Sequence, residues 1–252
     1  MSGKPTYEEL VKRVQELENT LADRDRTEMA MKRRIQSLTR PKDDAEDLVL
    51  EDLFDIDDIQ RLQDHFSNAT SVASIITRVD GTPITRPSNF CRLCKEIIRK
   101  TEKGFANCCK SDAVIGRPSA DGPVIQQCLS GGLWDAGAGI TVGGRHIANW
   151  LIGQVRDETQ TEARISDYAR EIGVDEETML EAFRDVPSMS VAKFRHIAKM
   201  LFTVADPLSA IAYQNVQQVR FIADLQKADE ALKESETRLR TLIHTLPDLV
   251  WL

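Results

Sequence analysis

The chain has 252 residues, 29% of them charged, and a formal net charge of −7, so it has enough length for one substantial core with flanking segments and no basic surface for direct nucleic-acid binding. Its first residues, MSGKPTYEELVKRVQELE, are charged throughout and contain no apolar run of signal-peptide or anchor type, and no stretch reaches the ~18 apolar residues of a spanning helix. Five cysteines in a chain with no export signal point to a reducing cytoplasm and to thiols or metal ligands rather than a disulfide framework.

Taken in order, residues 1–40 carry a heptad. Tyr7, Val14, Leu21 and Ile35 fall on one seam position and Leu10, Leu17, Met31 and Leu38 on the other, with Arg24 and Glu28 interrupting and Pro41 closing the helix. This predicts a coiled coil and a parallel homodimer. An acidic linker, KDDAEDLVLED, leads to a short amphipathic helix at Ile56, Ile59, Leu62 and Phe66. Ser71 to Val79 reads as a strand, turned at Asp80-Gly81 into a second strand through Ile84. Ser88 then stands as the N-cap of a helix with Phe90, Leu93, Cys94, Ile97 and Ile98 on its apolar stripe and Gly104 as its stop, followed by a short helical segment that starts near Cys108 and Cys109.

Pro123 to Gln127 is a further strand ending at Cys128. Beyond it, Leu133 to Val142, Gly143-Gly144 and Ile147 to Val155 form a β-hairpin that carries Trp134, Asp135, His146, Asn149, Trp150 and Gln154. Large apolar area beside polar handles is the composition of a ligand pocket. Trp134, Asp135, Asn149, Trp150 and Gln154 are therefore the candidate ligand-binding residues. Alternation allows two arrangements: Trp134 with Asn149, Leu151 and Gly153 if the odd-numbered face looks inward, or Trp134 with Trp150, Ile152 and Gln154 if the even-numbered face does. The even face is the preferred reading, and a bulge would be needed to mix them.

Cys91 and Cys94 are three apart on a helical stretch. With Cys108 and Cys128 they offer four thiolates, enough for a closed zinc site or an iron–sulfur cluster; buried inert thiols and a redox-sensing pair are the other readings of the same residues. Cys109 is the supernumerary thiol. Helices follow at Thr159–Ile172 and Glu176–Phe183, and a long helix starts at Ser190, where Pro207 is a potential kink and His196 reads as a surface histidine. Residues 206–243 continue as a heptad segment with Ile211, Gln218, Leu225, Leu232 and Leu239 on one position and Ile222 and Ile243 on the other.

Four short patterns, in order, carry a family likeness: Cys91; Cys108-Cys109-Lys110-Ser111-Asp112 after Gly104; Cys128 with Gly132-Leu133; and Gly153-Gln154-Val155. Together they resemble the PocR sensory domain, a PAS-like module of signalling proteins, over roughly residues 55–205. The resemblance implies an α/β (α+β) fold with a PAS/GAF-like antiparallel sheet and flanking helices, here between N- and C-terminal coiled-coil helices. It implies a cytoplasmic ligand-sensing module of a signal-transduction protein of the histidine-kinase kind, binding a small hydrocarbon derivative such as a diol and signalling through its C-terminal helix. The end of the chain, ALKESETRLRTLIHTLPDLVWL, resembles the entrance of a PAS domain, so residues 244–252 read as the start of a second module. The competing reading is a metal- or redox-sensing cysteine cluster without an organic ligand. An enzyme is not expected: there is no nucleophile elbow, phosphate loop or dinucleotide fingerprint.

Overall fold

A computed structural model describes residues 12–16, 29 and 48–245. Two units are distinguished, residues 49–215 and residues 1–48 with 216–252. In the first, a four-stranded antiparallel sheet has the order β1-β4-β3-β2, with β1 Ala73–Thr77, β2 Val124–Gln127, β3 Trp134–Val142 and β4 Arg145–Val155. The central hairpin forms where the sequence places it. Val142 pairs with Arg145 across Gly143 (φ 58°) and Gly144 (φ 84°), and two consecutive positive φ angles are what a tight hairpin turn demands.

On one face lies α2, Ile56–Thr70, preceded by the short α1, Leu50–Leu53. Asp55 caps α2 by accepting from the amides of Asp57 and Asp58. Its Phe66 ring meets the Trp150 indole edge-on at 5.7 Å. Gln63, fully buried, donates to the Ser74 and Arg86 carbonyls and to Ser88 Oγ. This pins the segment after β1, where the expected second strand is reduced to isolated bridges, Thr77 with Pro83 and Ser74 with Ser88. Pro83 and Pro87 have no amide to offer a ladder, and the Ile76 amide turns to the Thr85 hydroxyl instead.

The same bridge overturns the expected helix start. Ser88 exchanges both backbone hydrogen bonds with Ser74 and gives its hydroxyl to Asp64, so it belongs to the sheet edge and does not cap a helix. Helical winding begins later, as a π-turn at Leu93–Ile97 and a 3-10 turn at Ile98–Lys100. Gly104 is not a stop either. Thr101, extended, accepts from the Gly104 amide and caps α3, Glu102–Ile115, which places Cys108 and Cys109 in mid-helix.

α3 covers the other face of the sheet, and the small-residue run of β3 is the reason it fits. A Cβ on Gly137 would lie 2.6 Å from the Ile115 carbonyl oxygen, and one on Gly139 would lie 2.7 Å from Pro118. Beyond the sheet, α4 (Glu162–Ile172) and α5 (Glu176–Arg184) close a core made of Leu93, Ile98, Leu133, Ile165, Met179 and Phe183, among others. α6 runs from Val191 to Thr245 without interruption at Pro207. Within the first unit it buries Phe194, Ala198, Leu201 and Ala205, and Ser209 Oγ accepts from the Thr141 amide of β3. In the second unit, Phe221, Ile222, Leu225, Leu232, Leu239 and Ile243 are each more than half exposed along α6. Most of the seam expected over residues 7–38, and residues 246–252 of the expected PAS entrance, lie outside the described residues. Among the described residues no helix is long and apolar enough to cross a membrane.

Candidate functional site

Between the sheet and α3 lies a cavity. It encloses about 450 Å³ of empty space, counting the part open to solvent, of which about 30 Å³ admits the centre of a water molecule. One side is apolar, with Ala73, Ile75, Phe90 and Leu151; the other presents Arg99, Ser111, Asp112, Ser130, Asp135 and Gln154, with Cys94, Cys108 and Cys128 between them.

The odd-numbered face of the hairpin forms this wall. Asp135 pairs with Gly153 and Gly137 with Leu151, while the Trp150 ring lies toward α2 against Phe66; Ile152 also borders the cavity. The preferred even-face set is split: Ile152 and Gln154 border the cavity, and Trp134 and Trp150 do not. Gln154 reaches the cavity all the same, because the register slips between Trp134 and Asp135: Trp134 pairs with Val155, and Gln154 is left as the extra residue of a bulge. Its φ of 58° is a left-handed value that a non-glycine residue holds at some cost. Two hydrogen bonds hold it there. The Gln154 amide donates to Asp135 Oδ1 at 2.8 Å, and its side-chain oxygen accepts from the Cys91 amide at 2.9 Å.

Of the five ligand candidates, the structure brings Asp135 and Gln154 to the cavity and places Trp134, Asn149 and Trp150 outside its lining. The Trp150 indole donates to Ser74 Oγ beneath α2. Asn149 donates to Thr77 Oγ1 and the Arg78 carbonyl, and it packs against Gly116. These are fold-holding contacts of the kind a buried polar or aromatic side chain requires.

Arg99, Ser111, Asp112 and Ser130 complete the polar wall. Arg99 and Asp112 pair at 2.8 Å with side chains only 12% and 10% exposed, so water screens the pair little. The guanidinium carbon lies 5.1 Å from the centre of the Phe90 ring and 6.0 Å from that of Phe105. Arg99 Nε, although buried, has no hydrogen-bond partner. Burial raises the Asp112 carboxyl to about 6, with Arg99 pulling the other way. Burial raises Asp135 further, to about 7, against the Gln154 amide and the Cys128 thiol that both favour its charge. α3 shows how these residues were to be found: Gly104, Cys108, Ser111, Asp112 and Ile115 form its buried stripe, a helical spacing that emerges once the helix starts at Thr101. Arg99, on the irregular turn before it, gives no periodic signal.

Cys94, Cys108 and Cys128 line the cavity, and Cys91 packs against the same cluster. Cys108 Sγ lies 3.3 Å from Ser130 Oγ, the Cys128 side chain favours the charge of Asp135, and Cys94 is influenced most by Cys91. Cys109 is half-exposed on the far side of α3, with its backbone against Gly81. The expected zinc or iron–sulfur site on Cys91, Cys94, Cys108 and Cys128 finds no support: among the described residues no group of three or more His, Cys, Asp or Glu side chains is placed to hold a metal ion.

A family model described as the sensory domain found in PocR matches residues 52–213, well over half of the chain. The chain belongs to the PocR sensory-domain family. The PocR domain so delimited includes the whole sheet, the cavity and the start of α6. Among known proteins, the chain is similar to the regulatory protein PocR of Salmonella typhimurium, at 26% identity over 151 residues, which is 59% of this chain and 49% of that protein. The chain thus spans about half the length of that relative. No solved structure matches. Membership gives the PocR domain a ligand-sensing, regulatory role.

Proposed function

We propose that the PocR domain binds a small, uncharged, hydroxylated organic molecule in the cavity under β4 and passes its occupancy along α6 to an output domain. One observation carries the reading. Cys108, Ser111, Asp112, Cys128, Gly153 and Gln154, on which the family likeness rests, come from separate parts of the chain and meet around this one cavity.

The wall chooses the chemistry. A hydroxyl both donates and accepts, and it meets here a donor without a partner, Arg99 Nε, and an acceptor in the Asp135 carboxyl, while Ile75, Phe90 and Leu151 suit a short carbon chain. Anions are disfavoured, because Asp112 already neutralises Arg99 and Asp135 adds no positive charge. The space suits a molecule of a few heavy atoms, such as a short diol. A plain hydrocarbon leaves buried polar groups unpaired at ~1–3 kcal/mol each, which sets the selectivity.

β3 connects site and helix, since it carries Asp135 at one end and donates from Thr141 to Ser209 of α6 at the other. A coupling of ~1–3 kcal/mol between cavity and helix is enough for regulation. The exposed Leu225, Leu232 and Leu239 at heptad spacing fit a parallel homodimer through α6, in a cytoplasmic signalling protein of the histidine-kinase kind that senses and does not itself catalyse. Replacing Leu225 and Leu232 by Glu is expected to lower the mass in solution, and an unchanged dimer mass would remove the helix from that role.

The test of the ligand is titration calorimetry with short diols, the matching mono-alcohols and short carboxylic acids. Saturable binding by a diol is expected, weakened about 5- to 150-fold by Asp135→Asn, as loss of a buried polar partner implies. No saturable heat from any diol, or binding indifferent to Asp135, would count against the reading.

A further inference from the structure

Two of the thiols at the site have each other as partners. Cys91 is half-buried at the rim of the cluster that holds Cys94, Cys108 and Cys128, whereas Cys94 is 7% exposed and lines the cavity. Each side chain is the largest single influence on the ionisation of the other. They sit one turn apart, where the chain passes from the sheet-edge bridge at Ser88 into the π-turn, so neither is held in the middle of a regular helix. Cys91 also gives its amide to Gln154 Oε1, and so touches the bulge that brings Gln154 into the cavity.

We infer that Cys91 and Cys94 form a reversible disulfide that reshapes the cavity wall at Gln154. The inference rests on the cavity being the sensing site, but its chemistry is separate from the ligand's. The two thiols are suited to different roles. The Cys94 side chain and amide beside Cys91 outweigh burial, so Cys91 is the more acidic of the two. Cys94 keeps its proton, because the neighbouring Cys91 and full burial both oppose its ionisation.

The oxidant is a hydroperoxide small enough to reach the half-buried Cys91. Its thiolate attacks one peroxide oxygen, the O–O bond breaks, and the other oxygen leaves as alkoxide or hydroxide and takes up a proton. Cys91 is then a sulfenic acid. Cys94 gives up its proton and attacks the Cys91 sulfur, the S–O bond breaks, and the oxygen leaves as water. The two thiols have lost two electrons and the peroxide has gained them. An external thiol reverses the step by exchange. An S–S bond of ~2.05 Å then joins the two side chains. That draws Cys94 Sγ off the cavity wall and shifts the Cys91 amide away from Gln154.

The test uses the full chain with hydrogen peroxide, followed by mass spectrometry and hydrogen exchange. Trypsin cuts after Arg78, Arg92 and Lys95 but not between Arg86 and Pro87, so the disulfide appears as the linked peptides VDGTPITRPSNFCR and LCK, which separate on addition of a reducing thiol. Cys91→Ser abolishes the link, Cys94→Ser stops at a sulfenic acid that a cyclic diketone traps on Cys91, and Cys109→Ser leaves the link intact. Oxidation is expected to speed exchange of the Cys91 amide about fivefold or more, in line with loss of one hydrogen bond. Absence of the linked peptides, or a link with unchanged exchange over residues 91 and 153–155, overturns the inference. Failure of diols to bind the reduced protein counts against the proposed ligand alone, because neither readout needs a ligand.

Discussion

The two faces of the sheet both bury polar side chains, and they treat them differently. Under α2, the Gln63 amide meets two backbone carbonyls and the Ser88 hydroxyl, its own oxygen accepts from Thr85, and the Trp150 indole finds Ser74. On the α3 face, Arg99 Nε has no partner and two carboxyls are held well above their ordinary range. The first arrangement is what a buried polar group needs in order to specify a fold. The second keeps unspent hydrogen-bonding capacity beside an opening, which is costly for the empty protein and useful only if something else completes it.

Breaking the α2 face should cost the most. Trp150→Ala removes a fully buried indole and its contact with Phe66, and a loss of ~3–5 kcal/mol in denaturant unfolding is expected. Gln63→Ala, which removes one of two donors from each of the Ser74 and Arg86 carbonyls and the acceptor of the Thr85 hydroxyl, should cost ~1–3 kcal/mol by the same measurement. If either change were neutral, the satisfied network would not be what holds that face.

The α3 face should respond in the opposite sense. Asp135 titrates near 7 when folded and near 3.8 when unfolded, so the folded protein binds the extra proton between those values. Stability therefore falls as pH rises from about 4 to about 7, and Asp112 adds to the slope up to about 6. Asp135→Asn is expected to flatten this decline and to be more stable than the parent by ~1–3 kcal/mol at pH 8 while binding ligand less well. A variant that is less stable at pH 8 would mean that Asp135 is structural.

How much of this was legible in the sequence depends on whether the signal was local. The β3–β4 hairpin could be read because Gly143-Gly144 fixes a turn that the flanking β-formers then extend. α2 followed from its apolar spacing, Gly173 marked the break between α4 and α5, and the family patterns located the site's main segments. Arg99 and the bulge at Gln154 could not be read. Nothing in Gly-Gln-Val announces that the glutamine takes a left-handed φ, since the register slip is decided by pairing with Trp134 and Asp135 on another strand. Taking Ser88 and Gly104 as helix boundaries weighed local preference over tertiary context; a bridge to Ser74 and a cap at Thr101 decided both. The tryptophans misdirected the pocket for a similar reason, because aromatic mass marks a core as readily as a binding wall.

The central claim is that the unsatisfied face, and not the satisfied one, receives the ligand. The most direct measurement is a crystal structure of the chain grown with whichever short diol binds best in calorimetry. The account predicts one ligand oxygen within about 3 Å of Arg99 Nε and another within about 3 Å of the Asp135 carboxyl, with the carbon chain against Ile75 and Leu151. A diol seated under α2 beside Trp150, or a cavity filled by protein side chains with the diol elsewhere, would contradict it.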